Sequence, residues 1–208
     1  MSDIATRSDL LARAQRLGAL TVGWNAIEGM IAITAAWIAG SHALTGFGLD
    51  SAIESISASV LLWRLGAERR NPERAEHVER RATRLIGASF VLLAAFVAFE
   101  AVRSLAFGEE PDASPVGIAL TLVALVVMPT LARRKQRVAV ALGSRAAEAD
   151  SAQTWACVWL SAVVLTGLVL NAILGWWWAD PIAALGVVVL LVREGRESLA
   201  ADEIEDCC

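Results

Sequence analysis

The sequence predicts an all-α membrane protein with six transmembrane helices and both termini in the cytoplasm. Three observations predict it. The chain is 56% apolar and 19% charged, with a mean hydropathy of +0.55. Its apolar residues fall into blocks of roughly 18 to 25, about the length a helix needs to cross ~30 Å of hydrocarbon, and a soluble core does not repeat helices of that length so often. Lys and Arg alternate between connections, which fixes the direction of each crossing.

The elements follow in order. Residues 1–16, with Asp3, Arg7, Asp9, Arg13 and Arg16, lack the apolar run and cleavage site of a signal peptide and read as a cytoplasmic amphipathic lead-in. The spans are placed at 17–39, 43–65, 85–107, 115–132, 151–174 and 180–193. The 64–84 connection carries Arg64, Arg69, Arg70, Arg74, Arg80, Arg81 and Arg84, and the 133–145 connection carries Arg133, Arg134, Lys135, Arg137 and Arg145. Both therefore belong in the cytoplasm. The alternate connections, Gly40 to His42, Gly108 to Ser114 and Gly175 to Asp180, contain neither Lys nor Arg and face outward. Pro129 predicts a kink in the fourth span. Trp176, Trp177 and Trp178 read as an aromatic anchor at the outer headgroups. Residues 17–198 thus form one six-helix transmembrane domain, followed by a short acidic cytoplasmic tail at 199–208.

Several function classes drop out. The net charge of −4 is small and dispersed, and no basic face interleaved with aromatics offers a surface to nucleic acid. The three cysteines, Cys157 and the terminal Cys207 and Cys208, have no spacing that suggests a disulfide framework or a zinc finger. A membrane-embedded enzyme would need a nucleophile and a base at one depth. The spans hold no histidine in such a position, so no enzymatic activity and no permanently bound cofactor are expected.

Ionisable residues inside spans are costly and mark function. Asp50 and Glu54 stand one turn apart on one helical face, about 6 Å along the axis, so their charges repel unless a cation lies between them. Arginines of other helices are the alternative neutralisers, and the middles of the spans offer only Arg103. Glu28, with Asn25 a turn before it, is either a third oxygen donor or a proton-carrying or hydrogen-bonding group between helices. Glu100 and Arg103 are spaced to neutralise each other. At the start of the fifth span, Asp150, Gln153 and Cys157 line one stripe, offering carboxylate, amide and thiol to a metal of intermediate softness. Taken singly, Asp150 reads as a helix cap and Cys157 as a small packing residue. His42 and His77 lie in predicted loops without partners and read as bystanders. The tail residues Glu203, Glu205, Asp206, Cys207 and Cys208 read either as a solvated acidic end or as a weak metal-collecting segment.

The stretch from Gly40 to Glu54, with Gly40-Ser41 before Asp50-Ser51-Ala52-Ile53-Glu54, resembles the second helix of the cation diffusion facilitator family, and Asp180-Pro181-Ile182-Ala183-Ala184 resembles that family's turn into the sixth helix. The resemblance implies a metal site shared by helices two and five, with Asp50 and Glu54 as the first pair. The family's His-x-x-x-Asp of helix five is not present. Gln153 and Cys157 fall near the expected places, and Asp150 with Thr154 is the alternative pair. The chain resembles short, membrane-only members without the family's ferredoxin-like cytoplasmic domain. The resemblance implies proton-coupled efflux of a divalent cation by a homodimer in a bacterial inner membrane. Zinc comes first, with cadmium, cobalt, nickel and iron behind. A non-transporting membrane metal sensor or scaffold is the rival reading.

Overall fold

Helix formation follows the apolar blocks but does not stop where they stop. The computed structural model describes residues 2–39, 42–108 and 115–200. Six helices, α1 (Ser2–Ala39), α2 (His42–Arg70), α3 (Ala75–Phe107), α4 (Pro115–Leu142), α5 (Arg145–Leu174) and α6 (Ala179–Ala200), carry nearly all of them, with a short 3-10 turn at Pro72–Arg74. The outward turn at Gly40 and Ser41, the acidic connection 109–114 and the tail 201–208 lie outside the described residues.

The arginine-rich connections are mostly helical. The 64–84 connection breaks only around the 3-10 turn, where the Asn71 side chain accepts from the Glu73 N–H at 3.1 Å. The 133–145 connection shrinks to Gly143, in the left-handed region at φ 61°, and Ser144, whose hydroxyl accepts from the Ala147 N–H at 3.1 Å to start α5. Residues 2–16 continue α1 without a break, and Leu11 and Ala14 are buried there. Pro129 lies inside α4.

Four helical segments are long and apolar enough to cross a membrane: Arg7–Ile38, Pro72–Phe107, Pro115–Leu142 and Arg145–Asn171. α2 and α6 are 29 and 22 residues long, but α2 is diluted by Asp50, Glu54 and four serines, and α6 ends in a charged stretch from Arg193. The outer surface is that of a lipid-facing bundle. Trp37, Ile38, Phe107, Val126 and Ile173 are all exposed, Val126 to 76%, a level that water would penalise and hydrocarbon does not.

Packing is pairwise: α1 lies along α2, α3 along α6 and α4 along α5, with α2 also meeting α5 in the interior. Small residues set the closest approaches. A Cβ on Gly195 of α6 would come 3.3 Å from the Gly87 carbonyl of α3, and one on Gly48 of α2 would come 2.5 Å from the Ile33 side chain of α1. The main apolar core gathers Leu61, Leu65, Ile86, Phe90, Leu93 and Leu191.

The arginine-rich end of the bundle is fastened by charge. Arg64, 4% exposed, pairs with Glu68 at 2.6 Å and with Glu79, and Arg7 reaches the same Glu68 at 2.7 Å. Glu79 also accepts from the Ser144 hydroxyl at 2.8 Å and the Ala146 N–H at 2.9 Å, so an α3 carboxylate sits at the N-terminus of α5, where the helix dipole favours it. The charge pattern places Arg64 in an exposed connection. It is buried instead, because α2 runs more than a turn past the apolar block and its carboxylate partners come from α2 and α3.

Candidate metal centre

α2 and α5 run antiparallel, and their polar residues meet rung by rung. At the lowest rung, nearest the arginine-rich end, the Ser57 hydroxyl donates to Asp150 Oδ1 at 3.2 Å. One turn up, Glu54 lies beside Thr154. One turn further, Asp50 lies beside the Cys157 thiol. The i, i+3 and i, i+4 spacings on both helices keep these residues on facing stripes, so the register of one rung carries the others.

α1 closes the third side, also antiparallel to α2. Asn25 is beside Glu54, and Glu28 receives the Ser51 hydroxyl at 3.4 Å, with Trp24 next to it. That hydroxyl also sits 3.1 Å from the Phe47 carbonyl, so its single proton is shared. Gly29 lets the two helices close up here, since its missing Cβ would stand 3.5 Å from that of Ser51.

Of the six candidate ligands that the sequence offers, Glu28, Glu54, Asp150, Gln153 and Cys157 are buried and Asp50 is half-buried. Their charges act on one another: Glu54 and Glu28 both bear on Asp50, and Glu54 bears on Glu28. Such a grouping in a low-dielectric interior calls for a cation or a proton. Both carboxylate oxygens of Glu54, Oε1 of Glu28 and both amide atoms of Asn25 and of Gln153 are buried without a protein hydrogen bond of ordinary geometry, although Thr154 and Asn25 stand near enough to Glu54 to act on its charge. Buried polar atoms are ordinarily paired, and seven orphans on three facing helices need a reason. Among the described residues, no three His, Cys, Asp or Glu side chains are gathered into a group that could hold a metal ion as they stand. Asn25, beside Glu54, carries a further amide oxygen, and Gln153 carries another on α5.

Asp150 is differently placed. Its carboxylate is 2.6 Å from the ammonium of Lys135, and that ammonium also donates to the Thr154 hydroxyl at 2.8 Å and the Asp150 carbonyl at 3.3 Å. The charge pattern assigns Lys135 to a cytoplasmic connection, yet it is 4% exposed. The sequence does carry a sign of this. Ala124, Met128, Ala132, Lys135, Ala139 and Leu142 recur at three- and four-residue steps and are all buried, so the inward stripe of α4 passes through Lys135. Sequence reasoning marks Asn25 only as a neighbour of Glu28 and misses Ser57.

Elsewhere the Arg103 guanidinium pairs with Glu100 at 3.1 Å, as their spacing predicts. Trp176 and Trp178 stack with centroids 5.4 Å apart. His77 is exposed at the start of α3. Asp180 packs against Gly167 of α5, where a Cβ would come 2.4 Å from its own.

Two bacterial proteins are similar to this chain over much of its length. An uncharacterized transporter of Synechocystis sp., sll1263, is 32% identical over 155 residues, covering 72% of this chain and 50% of that protein. The cation-efflux pump FieF of Shewanella oneidensis is 35% identical over 101 residues, covering 49% of this chain and 32% of that protein. The chain thus spans at most about half the length of these relatives. The family model described as the cation efflux transmembrane domain matches residues 20–201, so this multi-pass membrane protein belongs to the cation efflux family.

Proposed function

We propose that the protein exports a divalent cation, zinc foremost, in exchange for protons, binding it between α1, α2 and α5. The observation that carries this reading is the gathering of Glu28, Asp50, Glu54, Asn25 and Cys157 in a buried interior where oxygens of Glu28, Glu54 and Asn25 lack a protein hydrogen bond, in a chain of the cation efflux family. Ionised, the carboxylates hold the ion; protonated from the far side, they release it. On helix five, Gln153 and Cys157 complete the site, because Asp150 and Thr154 are already engaged by Lys135. Oxygen, amide and thiol together suit zinc or cadmium better than a hard ion. The same reading keeps six spans with both termini cytoplasmic, a homodimer in a bacterial inner membrane and a midplane site exposed alternately to either side.

The test is zinc counterflow against a pH gradient in proteoliposomes. Asp50→Asn and Glu54→Gln should each abolish flux while the purified variants remain folded, because neutral amides are poorer ligands and carry no exchangeable proton. Retained flux in both variants removes the site. A wild-type protein that binds zinc at these residues but never moves it would instead favour a sensor or scaffold. Topology is checked separately. A cysteine at Ala113 should react with an impermeant thiol reagent from outside, and one at Ala75 only after the membrane is opened.

A further inference from the structure

The proposed ligands lie beside a buried lysine. Lys135 reaches in from α4, 4% exposed, with its ammonium 2.6 Å from Asp150 Oδ2 and 2.8 Å from Thr154 Oγ1. The ammonium is also close enough for its charge to act on Glu54, one rung above. Asp150 is fully buried and its other oxygen is taken by Ser57, so the aspartate is held from two sides, by α4 and by α2. A buried ion pair of this kind is costly to make and gives no clear gain in stability over an apolar pair of the same size. Its position beneath the unpartnered carboxylates gives it another use.

We propose that Lys135 is a specificity-determining and positioning residue for transport: its ammonium keeps Asp150 and Thr154 out of the ion's coordination shell and offsets one negative charge, so that the site holds a divalent ion weakly enough to release it. This rests on the placement of the ion at Asp50 and Glu54. A fourth carboxylate free in the same pocket would deepen binding, and an ion held too tightly does not leave. Lys135 thus acts through Asp150 and through its field on Glu54, and does not touch the ion.

The experiment measures zinc affinity by titration of the purified protein, together with the KM and kcat of zinc flux in proteoliposomes. Lys135→Gln frees the Asp150 carboxylate. Zinc Kd should fall about tenfold or more, with KM and kcat falling together, as expected from removing a unit positive charge close to a divalent ion. The double variant Lys135→Gln/Asp150→Asn removes both charges and should return Kd and kcat to within about twofold of wild type. Asp150→Asn alone leaves the ammonium unbalanced, and its Kd should rise about tenfold, which provides a reading even where Lys135→Gln does not fold. A purely structural lysine would lower thermal stability and flux without tightening zinc. Unchanged Kd in Lys135→Gln, or in Asp150→Asn where the lysine variant does not fold, overturns the inference, as does a double variant no closer to wild type than the single. Glu54→Gln serves as the control. Loss of zinc binding in Glu54→Gln together with an unmoved Kd in Lys135→Gln defeats the lysine's role alone, whereas wild-type binding by Glu54→Gln defeats the underlying site.

Discussion

Two polar regions of this bundle are both buried, and they are built on opposite rules. At the arginine-rich end, Arg7, Arg64, Glu68 and Glu79 link one another, and Glu79 adds the start of α5. In the interior, Glu28, Glu54 and Asn25 bring carboxylates and an amide together, and atoms of all three, with those of the buried Gln153, lack a hydrogen bond. The first region has cations of its own for its carboxylates. The second meets a lysine at its lower edge, and that lysine is already held by Asp150. On the proposed function, the difference separates charge that fastens helices from charge that waits for a ligand, and burial alone does not separate them.

That contrast predicts opposite responses to neutral substitution. Arg64→Gln removes the buried guanidinium that Glu68 and Glu79 share, leaving Glu68 with Arg7 and Glu79 with Ser144 and Ala146, and should cost about 3 kcal/mol of stability, the low end of the loss when one partner of a buried pair is removed. Denaturant or thermal unfolding in detergent would show it, and flux per folded molecule should survive. Glu54→Gln should do the reverse, holding or raising stability while zinc no longer stabilises the protein. If both variants lose stability alike, the interior acids are structural and the contrast fails. Cys157→Ser is a smaller change. Thiolate is the one soft donor in the set, so cadmium flux should fall severalfold more than zinc flux. Equal effects on the two ions would return Cys157 to simple packing. Smallest is Gly48→Ala, whose added methyl would come 2.5 Å from Ile33 Cδ1 and 2.7 Å from its Cγ1, with the Gly29 carbonyl in ordinary contact at 3.6 Å. A loss of about 1–2 kcal/mol is expected, with unaltered transport. Should Gly48→Ala abolish flux, the α1–α2 interface moves during the cycle.

Much of the candidate site is legible in the sequence, because Asp50, Glu54 and the Asp150–Gln153–Cys157 stripe advertise themselves as polar residues at helical spacing in apolar surroundings. The six helices are legible for the same reason. What escapes are the polar residues placed in loops. Arg64 and Lys135 stand in stretches dense with charge, and charge there reads as exposure to water, whereas both helices run on and turn those residues inward. Local hydropathy records what a residue is, not which neighbour neutralises it. The engagement of Asp150 by a lysine from α4 is a tertiary fact, and only the three- and four-residue rhythm of Met128, Ala132, Lys135 and Ala139 hints at it.

The link between α4 and α5 is two residues long, Gly143 and Ser144. So short a tether leaves no slack for one of these helices to slide along the other, and the Lys135–Asp150 pair straddles the same hairpin, adding a clasp further along it. In the proposed cycle the hairpin would therefore travel as a single lever. Glu54 rides on α2, outside that lever, so a rocking stroke that parted α2 from α5 would leave the distance between Lys135 and Asp150 constant while changing the one between Lys135 and Glu54. Each such stroke would alter the electrostatic potential at Glu54, and movement of the helices would become a change in the proposed site's grip.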